Sequence, residues 1–311
     1  MLERKKSKES DGDIISGINK LRGEKNAVIL AHNYQYPEIQ DIADFTGDSL
    51  GLAREAQATR ADVIVFCGVN FMAETASILS PEKTVLIPDL KAICPMANML
   101  KVHDIEQKKS QYPGAEVVLY VNTLAEAKAH CDCVCTSANA ASVVNAMNSD
   151  TVIFGPDRNL CDYVSARTGK IVVPIPSDGM CYVHDRLTMF DVKLAKSRHP
   201  NAKLVVHPEV RKEIQEVADA IASTDGMLNY CKDSDDVEFI IGTENGMLHR
   251  LYRETSGKKF YPLSDKAICE DMKKITLTKL RDSLRDMKYE VRVPEDIRVR
   301  SYRAIKRMLE L

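Results

Sequence analysis

Lys91-Ala92-Ile93-Cys94 returns in the same chain as Lys266-Ala267-Ile268-Cys269, and a third copy, Asp178-Gly179-Met180-Cys181, keeps the thiol and little else. The three cysteines stand 87 and 88 residues apart. A fixed period of this length marks a chain assembled from like units. Other columns share it. Gly68, Gly155 and Gly242 are spaced 87 and 87, and His32, Tyr120 and His207 are spaced 88 and 87. Two residues on from that second column come Tyr34, Asn122 and Glu209, and Ser49, Ser137 and Thr224 are again 88 and 87 apart.

Within each period, short apolar runs bounded by polar residues alternate with helical patterns, the first predicting buried strands and the second their covering helices. Strands are expected at 27–31, 63–66 and 84–87, then at 117–120, 133–135, 152–154 and 171–173, then at 203–206, 238–241 and 259–261. Helices are expected over 14–21, from Pro37, through Arg54 and Gln57, and over 70–79; then over 124–129, 138–147 and 160–167; then over 210–221 and 246–253. Residues 46–49 read as a break, and 108–114 and 196–201 as linkers. Two amphipathic segments, 272–287 and 294–309, close the chain. Alternation of this kind predicts α/β architecture, three similar three-layer αβα domains with parallel sheets. Their expected bounds are 24–110, 111–197 and 198–285, with helical extensions at 1–23 and 286–311. The polar columns fall just past the ends of predicted strands, where parallel sheets bind ligands. A pseudo-threefold arrangement would turn all three edges, and the three thiols, toward one central active site.

Composition narrows the class. The 311 residues are 44% hydrophobic and 28% charged, with a formal net charge of −2, so no basic field points to nucleic acid. No apolar run nears the roughly 20 residues of a membrane span. The start, MLERKKSKESDGD, has no apolar signal core. A cytoplasmic protein without nucleic-acid or membrane partners is expected. Nine cysteines in a reducing compartment suit metal ligands or buried thiols better than disulfides.

Cys94 and Cys269 each precede a helical run, where exposed N–H groups favour the thiolate that binds metal. Three thiolates at one point are one short of the set that usually holds an iron–sulfur cluster, and an open iron is a Lewis acid. Three inert cysteines at equivalent repeat positions are the alternative. Cys131, Cys133 and Cys135 offer a further metal set, structural zinc for example, or plain strand packing. The helix-start hydroxyls Ser49, Ser137, Ser223 and Thr224 suit anions as well as capping. Glu209 is a candidate acid–base group or a first-turn glutamate.

The stretches AHNYQYPEIQDIADFTGDSL, FCGVNFMAETASIL, AICPMAN, YVNTLAEAKA, TSANA, FGPDRNL, CYVHDR, HPE, GTENGMLHRL and CEDMKKITL together resemble the quinolinate synthase family, over about residues 31–277. The resemblance implies one 4Fe–4S cluster per chain, on positions matching Cys94, Cys181 and Cys269. It implies condensation of iminoaspartate (iminosuccinate) with dihydroxyacetone phosphate to quinolinate, phosphate and water in NAD biosynthesis. Substrate contacts carry over to His32, Ser49, Tyr120, Asn122, Ser137, His207, Glu209, Ser223 and Thr224. Proton handling carries over to Glu209, His207 and Tyr34, and a transient contact with the enzyme supplying iminoaspartate has a place in the same picture. Relatives often differ locally. Val210 stands where many have cysteine, Pro176-Ser177-Asp178-Gly179 where many have tryptophan-glycine, and Cys269-Glu270-Asp271-Met272 where many read C-P-x-M. A non-catalytic 4Fe–4S redox or sensor protein and another aconitase-like dehydratase are the alternative readings.

Overall fold

The computed structural model describes residues 10–311; most of the charged N-terminal stretch lies outside these, in residues 1–9. The first sheet contains β1 (Ala27–His32), β2 (Phe45–Gly47), β3 (Val63–Cys67) and β4 (Thr84–Leu86), in the order β2-β1-β3-β4. The second contains β5 (Glu116–Tyr120), β6 (Cys133–Cys135), β7 (Thr151–Gly155) and β8 (Ile171–Pro174), in the order β6-β5-β7-β8. The third contains β9 (Lys203–Val206), β10 (Ala220–Ile221), β11 (Glu238–Gly242) and β12 (Lys259–Pro262), in the order β10-β9-β11-β12. Every strand pairing within the sheets is parallel. One strand order used three times is the sequence period in physical form. The central strands are unbroken apolar runs, such as VIVFC in β3, because helices cover both faces of a parallel sheet.

Four expected features differ. β2 and β10 lie at sheet edges and are three and two residues long, too short to show a pattern. The helix expected over 210–221 is confined to Lys212–Gln215, and its end is β10. Where linkers were expected, the helices Val102–Gln111 and Met189–Arg198 run into the polar stretches. The first buries only Ile105, so no apolar stripe announces it. The closing segment from Met272 is divided between a short turn, Met272–Lys274, and the helix Leu277–Asp286.

Val102–Gln111, Met189–Arg198 and Leu277–Asp286 follow their cap residues Lys101, Thr188 and Thr276 at the same period. The first two lead out of one unit toward the next sheet. Ile105 joins the core of Val117, Leu119 and Ile153, and Val192 and Ala195 join that of Leu204 and Val206. The third helix has no fourth sheet to meet. It packs beside Asp11–Glu24 and against β3, returning the chain to its first sheet. Its Leu277, Leu280 and Leu284 are buried there, each contributing about 1.5–3 kcal/mol.

Residues 289–291 then bond to the free edge of β4, with Ile87 N–H donating to Tyr289 O at 2.9 Å and Val291 N–H to Val85 O at 2.8 Å. The last helix, Glu295–Glu310, lies on β6 and the helix Ala125–Lys128, where Ser301 Oγ donates to Ala125 O at 2.8 Å. Among the described residues no helix is long and apolar enough to cross a membrane.

Candidate active site

A cavity lies at the carboxyl ends of the strands and takes residues from all three units. His32 ends β1, Tyr120 ends β5 and His207 follows β9, and all three line it. So do Tyr34, Asn122 and Glu209, the hydroxyl column Ser49, Ser137 and Thr224, and the three thiols. Ser223 is the one predicted residue outside the lining. Its hydroxyl accepts Gly226 N–H at 3.2 Å as a helix cap and donates to Asp48 Oδ2 at 3.1 Å.

Each thiol stands ahead of a helical turn. The N–H groups of Ala97 and Met96 reach Cys94, that of His184 reaches Cys181 and that of Met272 reaches Cys269. These bonds lower the thiol pKa, as expected of a helix start, but burial is the larger effect. It pushes Cys94 up to about 12 and lifts Cys181 and Cys269 above the ordinary value. Cys181 is raised further by the Glu209 charge and, less strongly, by the two other thiols. A metal would have to displace these protons as it binds. Tyr182, next to Cys181, reaches across units: its hydroxyl donates to Cys269 Sγ at 3.8 Å and accepts Glu270 N–H at 3.0 Å.

The worn third copy has a steric cause. A Cβ on Gly179 would lie 1.8 Å from the carbonyl oxygen of Pro156, so the alanine of the other two copies has no room.

Beside Cys181 the side chains become chemically active. His184 Nδ1 lies 2.7 Å from Glu209 Oε2 and 3.2 Å from Cys181 Sγ. Its Nε2 lies 2.8 Å from Thr243 Oγ1, which is 2.6 Å from the Tyr34 hydroxyl. A carboxylate only accepts, which assigns the His184 proton to Nδ1 and leaves Nε2 to accept from Thr243. The result is an unbroken hydrogen-bonded chain from Tyr34 through Thr243 and His184 to Glu209. Burial alone would raise the Glu209 pKa. The neighbouring imidazoles of His184 and His207, with hydrogen bonds from His184 and Tyr120, outweigh it and hold Glu209 below the usual carboxylate range. Burial and the nearby Glu209 charge raise Tyr34 and Tyr120 well above the usual phenol value, so both are donors.

His32 and His207 share one local geometry. His32 Nδ1 accepts Tyr34 N–H at 3.2 Å, and His207 Nδ1 accepts Glu209 N–H at 3.3 Å. The proton of each is therefore on Nε2; in His207 it faces Ser137 Oγ at 3.2 Å. Burial is the largest influence on both and keeps them neutral, with pKa lowered to about 3. Ser49 and Thr224 open the helices Ser49–Ala58 and Thr224–Asp233, so two helix N-termini adjoin the cavity. Asn122 Oδ1 is buried and, among the described residues, has no hydrogen-bond partner.

Sequence reasoning missed His184 and Thr243. His184 lies inside the quoted CYVHDR stretch, three residues past Cys181 on a helical turn, a spacing that places two side chains on one face. Among the described residues, Cys181, His184 and Glu209 form a grouping whose ligand atoms lie within 4.8 Å of one another. Cys133 and Cys135 are instead buried in β6 under the last helix.

A proton-carrying chain ending at a thiol-lined cavity, set on the carboxyl edge of parallel sheets, defines an α/β enzyme whose active site is shared among three units. Residues 16–310 match the family described as Quinolinate synthetase A protein. Among curated relatives named quinolinate synthase, that of Pyrococcus abyssi is 57% identical over 300 residues, covering 96% of this chain and 99% of the relative. Those of Pyrococcus horikoshii and Methanocaldococcus jannaschii are 56% and 53% identical, each again covering 96% of this chain and 99% of the relative. The chain belongs to the quinolinate synthetase A family and has that family's activity, quinolinate synthesis in NAD biosynthesis.

Proposed function

We propose that iminoaspartate and dihydroxyacetone phosphate condense in this cavity, with one 4Fe–4S cluster per chain held by Cys94, Cys181 and Cys269. The observation that carries this reading is the convergence of three thiols, one from each unit, on the cavity that also holds Glu209 and His184. The donor set fits the group: sulfur-only ligands with N–H groups around each sulfur suit iron–sulfur clusters. A bound cluster supplies, at the iron without a cysteine, a Lewis acid for loss of hydroxide.

The chain's own residues supply the rest. Glu209, charged and hydrogen-bonded to His184 Nδ1–H, takes a proton as the ring carbons are deprotonated, while Tyr34 and Thr243 donate in turn toward His184 Nε2 and hold the imidazole in place. Tyr34 delivers a proton to a leaving or developing oxyanion. His207 and His32 present Nε2–H donors to substrate carboxylate, and Tyr120 adds a phenolic donor on the Glu209 side. Asn122, with Ser49, Ser137 and Thr224, receives the remaining carboxylate and phosphate oxygens. Ser223 acts one step back, holding the helix start that presents Thr224. The substrates are small soluble molecules, so the setting is cytoplasmic, without nucleic-acid or membrane partners. The units 24–110, 111–197 and 198–285 each contribute one ligand, consistent with a pseudo-threefold plan.

Anaerobic turnover of iminoaspartate with dihydroxyacetone phosphate should yield quinolinate, with about four iron and four sulfide per chain. Cys94→Ala should lose both; undiminished absorbance and product in that variant would sink the reading.

A further inference from the structure

Three side chains with no part in the chemistry above occupy one more column of the period. Asn70, Asp157 and Glu244 stand 87 and 87 residues apart, each two residues past the glycine column. Each accepts the backbone N–H of its own unit's cysteine. Cys94 N–H donates to Asn70 Oδ1 at 3.0 Å, Cys181 N–H to Asp157 Oδ2 at 3.0 Å and Cys269 N–H to Glu244 Oε1 at 3.1 Å. A second bond grips each loop two residues earlier. Asn70 N–H donates to Ala92 O at 2.9 Å, Arg158 N–H to Gly179 O at 2.8 Å and Asn245 N–H to Ala267 O at 2.8 Å.

Helix capping does not account for these side chains. Asn70 is not the cap of its helix; that position is Val69. Asp157 Oδ1 caps its helix through Leu160 N–H at 2.7 Å, and its other oxygen is the one that takes Cys181. Glu244 Oε2 accepts Gly246 N–H at 2.7 Å, while Lys273 Nζ is 3.1 Å from Oε1. Asp157 and Glu244 are fully buried. The spacing is instructive as well. Acceptor and cysteine are 24 residues apart in the first two units and 25 in the third, where the acceptor side chain is one methylene longer.

Resting on the assignment of the three thiols as ligands, we propose that Asn70, Asp157 and Glu244 are positioning residues that fix each ligand cysteine's peptide and so aim its sulfur into the cavity. What the site requires is an oxygen acceptor at a set place, which amide and carboxylate both provide. That is why the column holds three different residues on one period.

The test compares Asn70→Ala and Asp157→Ala with Asn70→Asp. Two readouts apply: the rate of anaerobic cluster loss to EDTA, and iodoacetamide labelling of each cysteine in the metal-free protein, resolved by peptide mass. Each alanine variant should lose its cluster about 10–100-fold faster, the range typical of groups that orient metal ligands. Labelling should accelerate at the cognate cysteine alone, and Asn70→Asp, which keeps an oxygen acceptor, should match the parent. Parent-like rates in Asn70→Ala, or Asn70→Asp failing as badly as Asn70→Ala, would overturn the proposal. Asn70 is only half-buried, so that variant carries the test if Asp157→Ala does not fold. A parent protein without iron and sulfide would refute the cluster reading instead, and cysteine labelling would still decide the anchoring.

Discussion

The corner at Cys181 and the corners at Cys94 and Cys269 are built on one plan and used differently. All three thiols follow a gripped loop and precede a helical turn. Among the described residues, a histidine and a carboxylate close on the sulfur only at Cys181, with His184 bonded to Glu209. The outer corners keep the letters Lys-Ala-Ile-Cys. The middle one has traded them for a glycine where the chain runs against Pro156. A repeat thus supplied three equivalent thiol positions, and a histidine–carboxylate pair joins one of them.

The strongest way to break this comparison is Glu209→Gln. It should lower kcat by about 10²–10⁴-fold, the usual weight of a general acid–base group, while iron and sulfide content stays at the parent level. Turnover near the parent's would mean the Cys181 corner is no more chemical than the others.

Next comes the steric half of the contrast. Gly179→Ala should cost about 3 kcal/mol, because the new methyl must displace backbone. Ala92→Gly and Ala267→Gly at matching positions should cost about 1 kcal/mol. Urea unfolding of the metal-free proteins measures all three, and equal costs would remove the explanation for the worn copy.

Acid titration tests the shared histidine geometry. Folded His32 and His207 have pKa near 3, below the ordinary 6.5. Between these values the unfolded chain binds the protons first, so stability is full above about pH 6.5 and is lost as pH falls toward 3. The slope is up to about 1.4 kcal/mol per pH unit for each histidine. His207→Gln should remove one histidine's share of it, as read from unfolding free energies at pH 7 and 5.

The smallest effect sharpens the cross-unit contact. Tyr182→Phe removes the hydroxyl that donates to Cys269 Sγ, and the cluster's reduction potential should fall modestly while turnover survives. An unmoved potential would assign Tyr182 to the Glu270 peptide alone.

Much of this was legible in the letters because a period is read without knowing any interaction. The central strands announce themselves as buried apolar runs, and the strand-end columns fall on the cavity. The helix Val102–Gln111 was hidden because one buried isoleucine makes no stripe, and β2 and β10 because two or three residues carry no pattern. The Asn70, Asp157 and Glu244 column was in plain arithmetic view. It does not stand out because its members differ in type, and the need for a shared oxygen acceptor emerges only once the cysteine N–H groups have directions. Thr243 was invisible for another reason: its role depends on Tyr34, more than 200 residues away in sequence.

The return of Leu277–Asp286 to the first sheet has a consequence in time. A ribosome delivers the first unit's strands early, yet the helix that covers them beside Asp11–Glu24 emerges only after the last cysteine. The first sheet waits with an apolar face bare while two further units are made, and contacts of this sequence separation form slowly. The same clasp makes assembly of the three thiols a late event, since the first and last of them belong to segments joined only when the circle closes.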